Sequence, residues 1–188
     1  MFYDPHQFAL ATELEANVQG IRKELRSLNA KVLDLQRIGP VEEFAKKLEQ
    51  RENGWTPSWQ VGTSNTNYNW LTYGLNYRRR FFPEADSKYP LTRSLLDRDE
   101  ILMAAFSLLK PLSVIASHHH DYLGNGLLTL HLGIDVAAGT SFINVDGVFE
   151  EERAGKPIVF DGSREHFALN AGLEDRIVLY VEFDSSKG

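Results

Sequence analysis

Apolar residues recur at spacings of three or four through Leu10, Leu14, Val18, Ile21, Leu25, Leu28, Val32 and Leu35. That stripe marks an amphipathic helical region, and Gly39-Pro40 ends it. A shorter helix is predicted over Val41 to Gln50, where Val41, Phe44, Ala45 and Leu48 share a face before Asn53-Gly54 breaks the chain. From Trp55 to Tyr89 the periodicity disappears. Nine aromatics, among them Trp55, Trp59, Trp70 and Tyr77, stand among Asn, Ser and Thr, and the stretch reads as a long irregular segment of the kind that often carries function. Leu91 to Leu96 reads as a helical turn or two.

After Asp99 the pattern changes to short apolar runs punctuated by Gly, Pro and Asp, the signature of antiparallel β structure. Strands are predicted near 101–109, 112–117, 127–134, 140–145, 157–160 and 176–183. In the third, alternation places Leu128, Leu130, Leu132 and Ile134 on one face and Thr129, His131 and Gly133 on the other. In the last, Arg176, Val178, Tyr180 and Glu182 share a face. The expected fold is mainly β with flanking α, a double-stranded β-helix (jelly roll, cupin-like) with the N-terminal helices packed on the outside. One domain of 188 residues is expected, with a helical part over 1–50, aromatic-rich loops and a short helix over 51–98, and the β core over 99–184.

Composition narrows the chemistry. Cysteine is absent, so any metal must be held by nitrogen and oxygen ligands. The net charge of -6, with no basic stripe, argues against nucleic acid. No apolar stretch approaches the roughly 18 residues of a membrane span, and the acidic amino terminus is unlike a secretion signal, so a cytoplasmic protein is expected.

Five of the six histidines lie in the β half, at 118, 119, 120, 131 and 166. Two histidines and a carboxylate on one face of a metal leave positions open, the arrangement of non-haem Fe(II) oxygenases. His119 and Asp121 project to the same side of an extended segment. His166, in the turn Asp161-Gly162-Ser163-Arg164-Glu165-His166, is the candidate third ligand from another strand. Asp161 is either an acceptor that orients His166 or ordinary turn chemistry. The planar fork of Arg176, ten residues on, suits a carboxylate in bidentate fashion. Arg78-Arg79-Arg80 reads as a clamp for an acidic substrate or as a solvated loop, and the aromatic segment as a pocket wall or as barrel packing.

Jointly, these segments resemble the aspartyl/asparaginyl β-hydroxylase family of 2-oxoglutarate oxygenases. The matching residues are Phe106-Ser107-Leu108-Leu109-Lys110-Pro111 with Ile115 and the histidine run, Asp121-Tyr122 with Asn125, Leu128 through Ile134, Val159 through His166 with Asn170, and Arg176-Ile177-Val178-Leu179. The likeness extends to Leu14-Glu15, Ile21 through Leu25, and Phe82-Pro83. It implies Fe(II) chelated by 2-oxoglutarate, with His166 as distal ligand. Arg176, assisted by Ser107, would hold the distal carboxylate, and His131 the carboxylate at the metal end. Thr129 stands where the family often carries a basic residue.

For the proximal ligand, alignment from Phe106-Ser107 points to His118 and alignment from His131 to His120. One extra residue on each side selects His119 and creates the His119-x-Asp121 pair followed by Tyr122. With His120 as ligand, Tyr122 replaces the carboxylate and two histidines hold the iron. The resemblance thus implies hydroxylation of a small molecule (an amino acid, small peptide or natural-product intermediate) by O2, with release of succinate and carbon dioxide. Two rivals stand beside it: a cupin-like metal enzyme without 2-oxoglutarate, and a non-catalytic jelly-roll module that binds a small acid.

Overall fold

The computed structural model describes residues 1–35, 41–50, 53–62 and 65–187. In chain order the elements are β1 (Phe2–Tyr3), α1 (Ala9–Ala16), α2 (Val18–Ser27), α3 (Val41–Glu49), β2 (Trp55–Trp59), β3 (Thr66–Tyr77), β4 (Arg80–Phe81), α4 (Ala85–Lys88) and α5 (Pro90–Leu96). They continue with β5 (Ile101–Leu109), β6 (Ser113–His118), β7 (Leu127–Asp135), β8 (Ser141–Val145), β9 (Val148–Glu151), β10 (Pro157–Phe160), β11 (His166–Asn170) and β12 (Arg176–Asp184). Eight strands form one antiparallel sheet ordered β1-β10-β7-β12-β5-β3-β2, with β4 beside β3; four form a second, ordered β6-β11-β8-β9. Apolar residues of both, Trp70, Leu109, Ile158 and Phe160 against Ile115, Ile143, Val145 and Ala168, meet in a shared core. The result is the double-stranded β-helix of cupin-like proteins.

Period-two alternation assigns the two faces of the larger sheet. Leu128, Leu130, Leu132 and Ile134 of β7, with Leu179, Val181 and Phe183 of β12, pack against Leu10, Leu14, Ile21 and Leu25 of the outer helices. Burying each such side chain contributes about 1.5–3 kcal/mol. Arg22 of α2 anchors the layer, donating from Nε to the Ile134 carbonyl at 2.9 Å. The opposite face of the sheet turns His131 and Tyr180 inward to a cavity.

Three expectations change. The apolar stripe from Leu10 to Leu35 is two helices that end at Ser27 rather than one region running to Leu35. Asn17 interrupts them, its side-chain amide donating to the Glu13 carbonyl at 2.9 Å. Leu28 is extended, and further on Val32 bridges Trp55 as a β-residue. The predicted stop at Gly39-Pro40 and the Val41 side chain lie outside the described residues.

The segment expected as aromatic-rich loops contains β2 and the twelve-residue β3. Its alternation is hidden because most of β3 is buried on both faces, with aromatics and small polar residues on each. Finally, His166 is the first residue of β11, not part of a turn, and β9 is an additional strand. The Asp146-Gly147 turn that joins β8 to β9 has φ of 50° and 85°, the left-handed pair a two-residue hairpin demands.

Candidate metal centre

Register places the first two histidines. His166 at the start of β11 is the Cα partner of His118 at the end of β6, and a bulge follows His166 before the ladder resumes at Ala168. One residue past β6 the chain turns. The His120 backbone N–H donates to the Gly162 carbonyl at 3.0 Å, which holds His120 beside the strand bearing His166. Ring centroids lie 4.3 Å apart for His118 and His166, 5.2 Å for His118 and His120, and 5.3 Å for His120 and His166. One ligand atom from each ring lies within 4.8 Å of the others. Small ring rotations bring such a set onto one ion with nitrogen ligands at roughly 2.1 Å.

The tautomers suit a metal. His166 Nδ1 lies 2.7 Å from the Arg164 carbonyl, and His118 Nδ1 lies 2.8 Å from that of Ala116. A carbonyl only accepts, so both Nδ1 atoms carry the proton and both Nε2 lone pairs are left for an ion. Burial pushes both pKa values down. That of His166, depressed further by the neighbouring His118, falls to about 4, so the ring is neutral near pH 7.

The expected His119–Asp121 pair does not join this group. The His119 side chain is 47% exposed and that of Asp121 94%. His119 Nε2 lies 2.9 Å from Asp121 Oδ1 and its Nδ1 lies 2.8 Å from Glu165 Oε1, an arrangement in which Glu165 first and then Asp121 hold its pKa above the usual value. The physical reason is alternation at the end of β6: His118 and His120 turn to the cavity, and His119 between them turns to solvent. The same-side argument applies one residue earlier than expected, giving a three-imidazole set that no carboxylate joins among the described residues.

An apolar cavity opens beside these rings. Trp59 and Trp70 pack tilted against each other at 4.8 Å between centroids and stand 6.3 and 6.1 Å from His118. Further along, the cavity is lined by Phe44 and Leu48 of α3, by Phe82 and by Met103. The aromatic segment therefore serves both expected roles: Trp70 faces the cavity, while Tyr73 packs toward the outer helices.

Of the residues expected to contact 2-oxoglutarate, Arg176, His131 and Ser107 have protein partners. Arg176 and Glu152, each with a side chain 1% exposed, form a buried ion pair. Arg176 Nε donates to Glu152 Oε2 at 2.7 Å and its Nη2 donates to Oε1, while His131 Nδ1 meets the same Oε1 at 2.8 Å. Burial opposes the Glu152 charge, but Arg176 and His131 prevail and hold its carboxyl well below the ordinary range. Ser107 Oγ accepts from Trp70 Nε1 at 3.1 Å. The Thr129 hydroxyl is buried without a hydrogen-bond partner among the described residues. Phe160 stands between His131 and His166, 5.1 and 5.4 Å from them.

Two buried carboxylates escaped the sequence reading of the site. Glu152 had no signal beyond an acidic run. Glu182 shares the Arg176 face and accepts hydroxyl hydrogen bonds from Tyr122 and Tyr180, each at 2.6 Å. Asp161 accepts from Ser163, so its role is turn chemistry and not the orientation of His166. The arginine run forms surface pairs, Arg78 with Glu42, Arg79 with Asp97 and Asp99, and Arg80 with Glu49, which matches a solvated loop.

Fold and site together define a cupin-like β-helix protein with a candidate three-histidine metal centre at one end of an apolar cavity. The chain belongs to the aspartyl/asparaginyl beta-hydroxylase family, whose profile matches residues 15–185. It is 27% identical over 184 residues to the ornithine lipid ester-linked acyl 2-hydroxylase of Rhizobium tropici, covering 96% of this chain and 59% of that protein. It is 25% identical over 164 residues to an uncharacterized protein of Acanthamoeba polyphaga mimivirus, covering 83% of this chain and 58% of that one. The chain thus spans under two thirds of the length of these relatives.

Similar solved structures include a predicted oxalate decarboxylase from Thermotoga maritima, with TM-score 0.40 and 18% identity over 61% of this chain and 79% of that one. Another is the Cupin_2 domain of an XRE family transcriptional regulator from Enterobacter cloacae, with TM-score 0.43 and 13% identity over 61% of this chain and 96% of that one. Among the described residues no helix is long and apolar enough to cross a membrane.

Proposed function

We propose that the chain is a non-haem iron hydroxylase that uses O2 to oxidise an unactivated carbon of a small molecule bearing an apolar chain. The observation that carries this reading is the convergence of His118, His120 and His166 beside an apolar cavity. When bound there, iron supplies the activation of dioxygen. The protein's own part is positional. Backbone carbonyls fix the His118 and His166 tautomers, and Trp59, Trp70, Ile115 and Ile143 exclude water and restrict how a substrate lies against the imidazoles. An amino acid or small peptide lacking an apolar portion suits this lining less well. The acyl group in the name of the Rhizobium tropici relative is consistent with such a cavity.

The family resemblance also implies 2-oxoglutarate. The three imidazoles fit a metal, but Arg176 as this chain holds it does not fit the distal carboxylate, because Glu152 already occupies the guanidinium. That pairing favours a second reading, a cupin-like metal enzyme of the same family that needs no 2-oxoglutarate.

Fe(II)-loaded protein given O2 and a fatty acid or an ester-linked acyl lipid, with and without 2-oxoglutarate, tests both readings by mass spectrometry. Gain of one oxygen by the acyl chain, abolished in His166→Ala, is expected. A one-oxygen product that requires 2-oxoglutarate, which carries off the other oxygen as succinate and carbon dioxide, supports the first reading; a product formed without it that retains both oxygens of O2 supports the second. Retained oxidation in His166→Ala, or none with metal bound, overturns the hydroxylase assignment and leaves the acid-binding module.

A further inference from the structure

We propose that Glu152 is a resident carboxylate that closes the Arg176 subsite, so that a 2-oxo acid docking at the three imidazoles gains nothing from a distal carboxylate. The inference rests on the metal reading of His118, His120 and His166. Its basis is how firmly Glu152 is built in. The segment carrying it crosses β7 at Gly133, where an added Cβ would lie 2.1 Å from the Arg153 carbonyl oxygen. Only glycine permits that approach. Backbone hydrogen bonds pin the segment on both sides: Glu152 N to Ser141 O at 2.9 Å, Gly155 N to Gly133 O at 2.7 Å, and Gly133 N to Lys156 O at 3.2 Å. The backbone that carries Glu152 is therefore fixed against β7 and does not swing.

Charge and geometry agree. The guanidinium and carboxylate neutralise each other, and His131 holds the same carboxylate oxygen from a third direction. A second carboxylate brought to Arg176 would face Glu152 without compensation, and like charges sharing a site repel strongly in a desolvated setting. Of the guanidinium nitrogens, Nη1 alone lacks a partner among the described residues, one nitrogen where the usual bidentate grip on a carboxylate uses two. His131 lines the cavity and holds Glu152, and with it Arg176, directly behind its own ring.

The test is calorimetric binding of 2-oxoglutarate and 2-oxobutyrate to anaerobic, Mn(II)-loaded protein, since only the former carries a distal carboxylate. In the wild type the two acids should bind within about 3-fold of one another. Glu152→Gln, which keeps the size and one acceptor but removes the charge, should raise 2-oxoglutarate affinity by roughly 10- to 100-fold with 2-oxobutyrate unchanged, and adding Arg176→Gln should cancel the gain. Circular dichroism and unchanged Mn(II) affinity establish that the variants fold. Preference of the wild type for 2-oxoglutarate by about 30-fold or more, lost in Arg176→Gln, overturns the proposal. So does failure of Glu152→Gln to gain any preference. If the wild type binds no Mn(II), the metal reading falls and takes the proposal with it, a result distinct from either of the others.

Discussion

His118 and His166 are direct partners across the β6–β11 ladder, with ring centroids 4.3 Å apart. Two candidate ligands on opposed strand ends come to one point without help from a loop, and their spacing is set by the ladder itself. The third histidine depends on a turn, in which its N–H donates to the Gly162 carbonyl and its own carbonyl accepts from the Leu123 N–H, each at 3.0 Å.

Alanine at positions 118, 120 and 166 should therefore each weaken divalent metal binding by at least about 100-fold, since loss even of partners behind a ligand costs 10- to 100-fold. His119→Ala should change it little. Metal content after dialysis and competitive titration measure this; strong loss in His119→Ala with retention in His118→Ala would reverse the assignment.

Acid should destabilise the metal-free protein through the same histidines. The folded pKa of His166 is about 4, below the ordinary 6.5, because burial and then His118 disfavour its charged form. As pH falls through 6.5 the unfolded chain takes up a proton that the folded chain refuses. Stability is thus lost between pH 6.5 and about 4, by an amount on the order of 3 kcal/mol for this group, with no further loss from it below that range. Burial lowers the pKa of His118 and His131 as well, which adds in the same direction. Urea denaturation across that window should show the slope, and His166→Asn should flatten it; an unchanged slope would refute the assignment to His166.

Removing one partner of the Arg176–Glu152 pair should cost far more than removing both. Glu152→Ala leaves a guanidinium that is 1% exposed without its counter-ion, at a cost of about 3–5 kcal/mol. The double change Glu152→Leu with Arg176→Met should recover most of that loss, because well-packed apolar replacements for a buried pair are often neutral. A double-mutant cycle by chemical denaturation reads this directly, and additive losses would mean that the two residues do not act as a pair.

The β half of the fold was legible because one face of each long strand meets the outer helices. Leu128, Leu130, Leu132 and Ile134 announce their alternation in the letters, and they are the residues packed on α1 and α2. Trp70, Thr72, Gly74 and Asn76 of β3 announce nothing, since the face they share lines a cavity and mixes aromatic, polar and absent side chains. At the site, His166 stood out by its distance from the histidine run and by Arg176 beyond it. The choice among three adjacent histidines was not legible, for a one-residue shift at the end of β6 exchanges the inward and outward sets, and only the pairing with His166 determines the phase. Glu152 was illegible for a related reason: its partner lies 24 residues away, and Gly133 brings the two together through a missing side chain.

Gly74 carries a similar consequence at the other end of the cavity. A Cβ there would lie 2.8 Å from the Phe82 ring and 3.2 Å from Leu48, so the bare backbone is what lets those two side chains settle onto β3. They form the floor opposite the imidazoles. On the proposed reading, the bulk allowed at this one strand position limits how far the apolar chain of a substrate reaches from the rings.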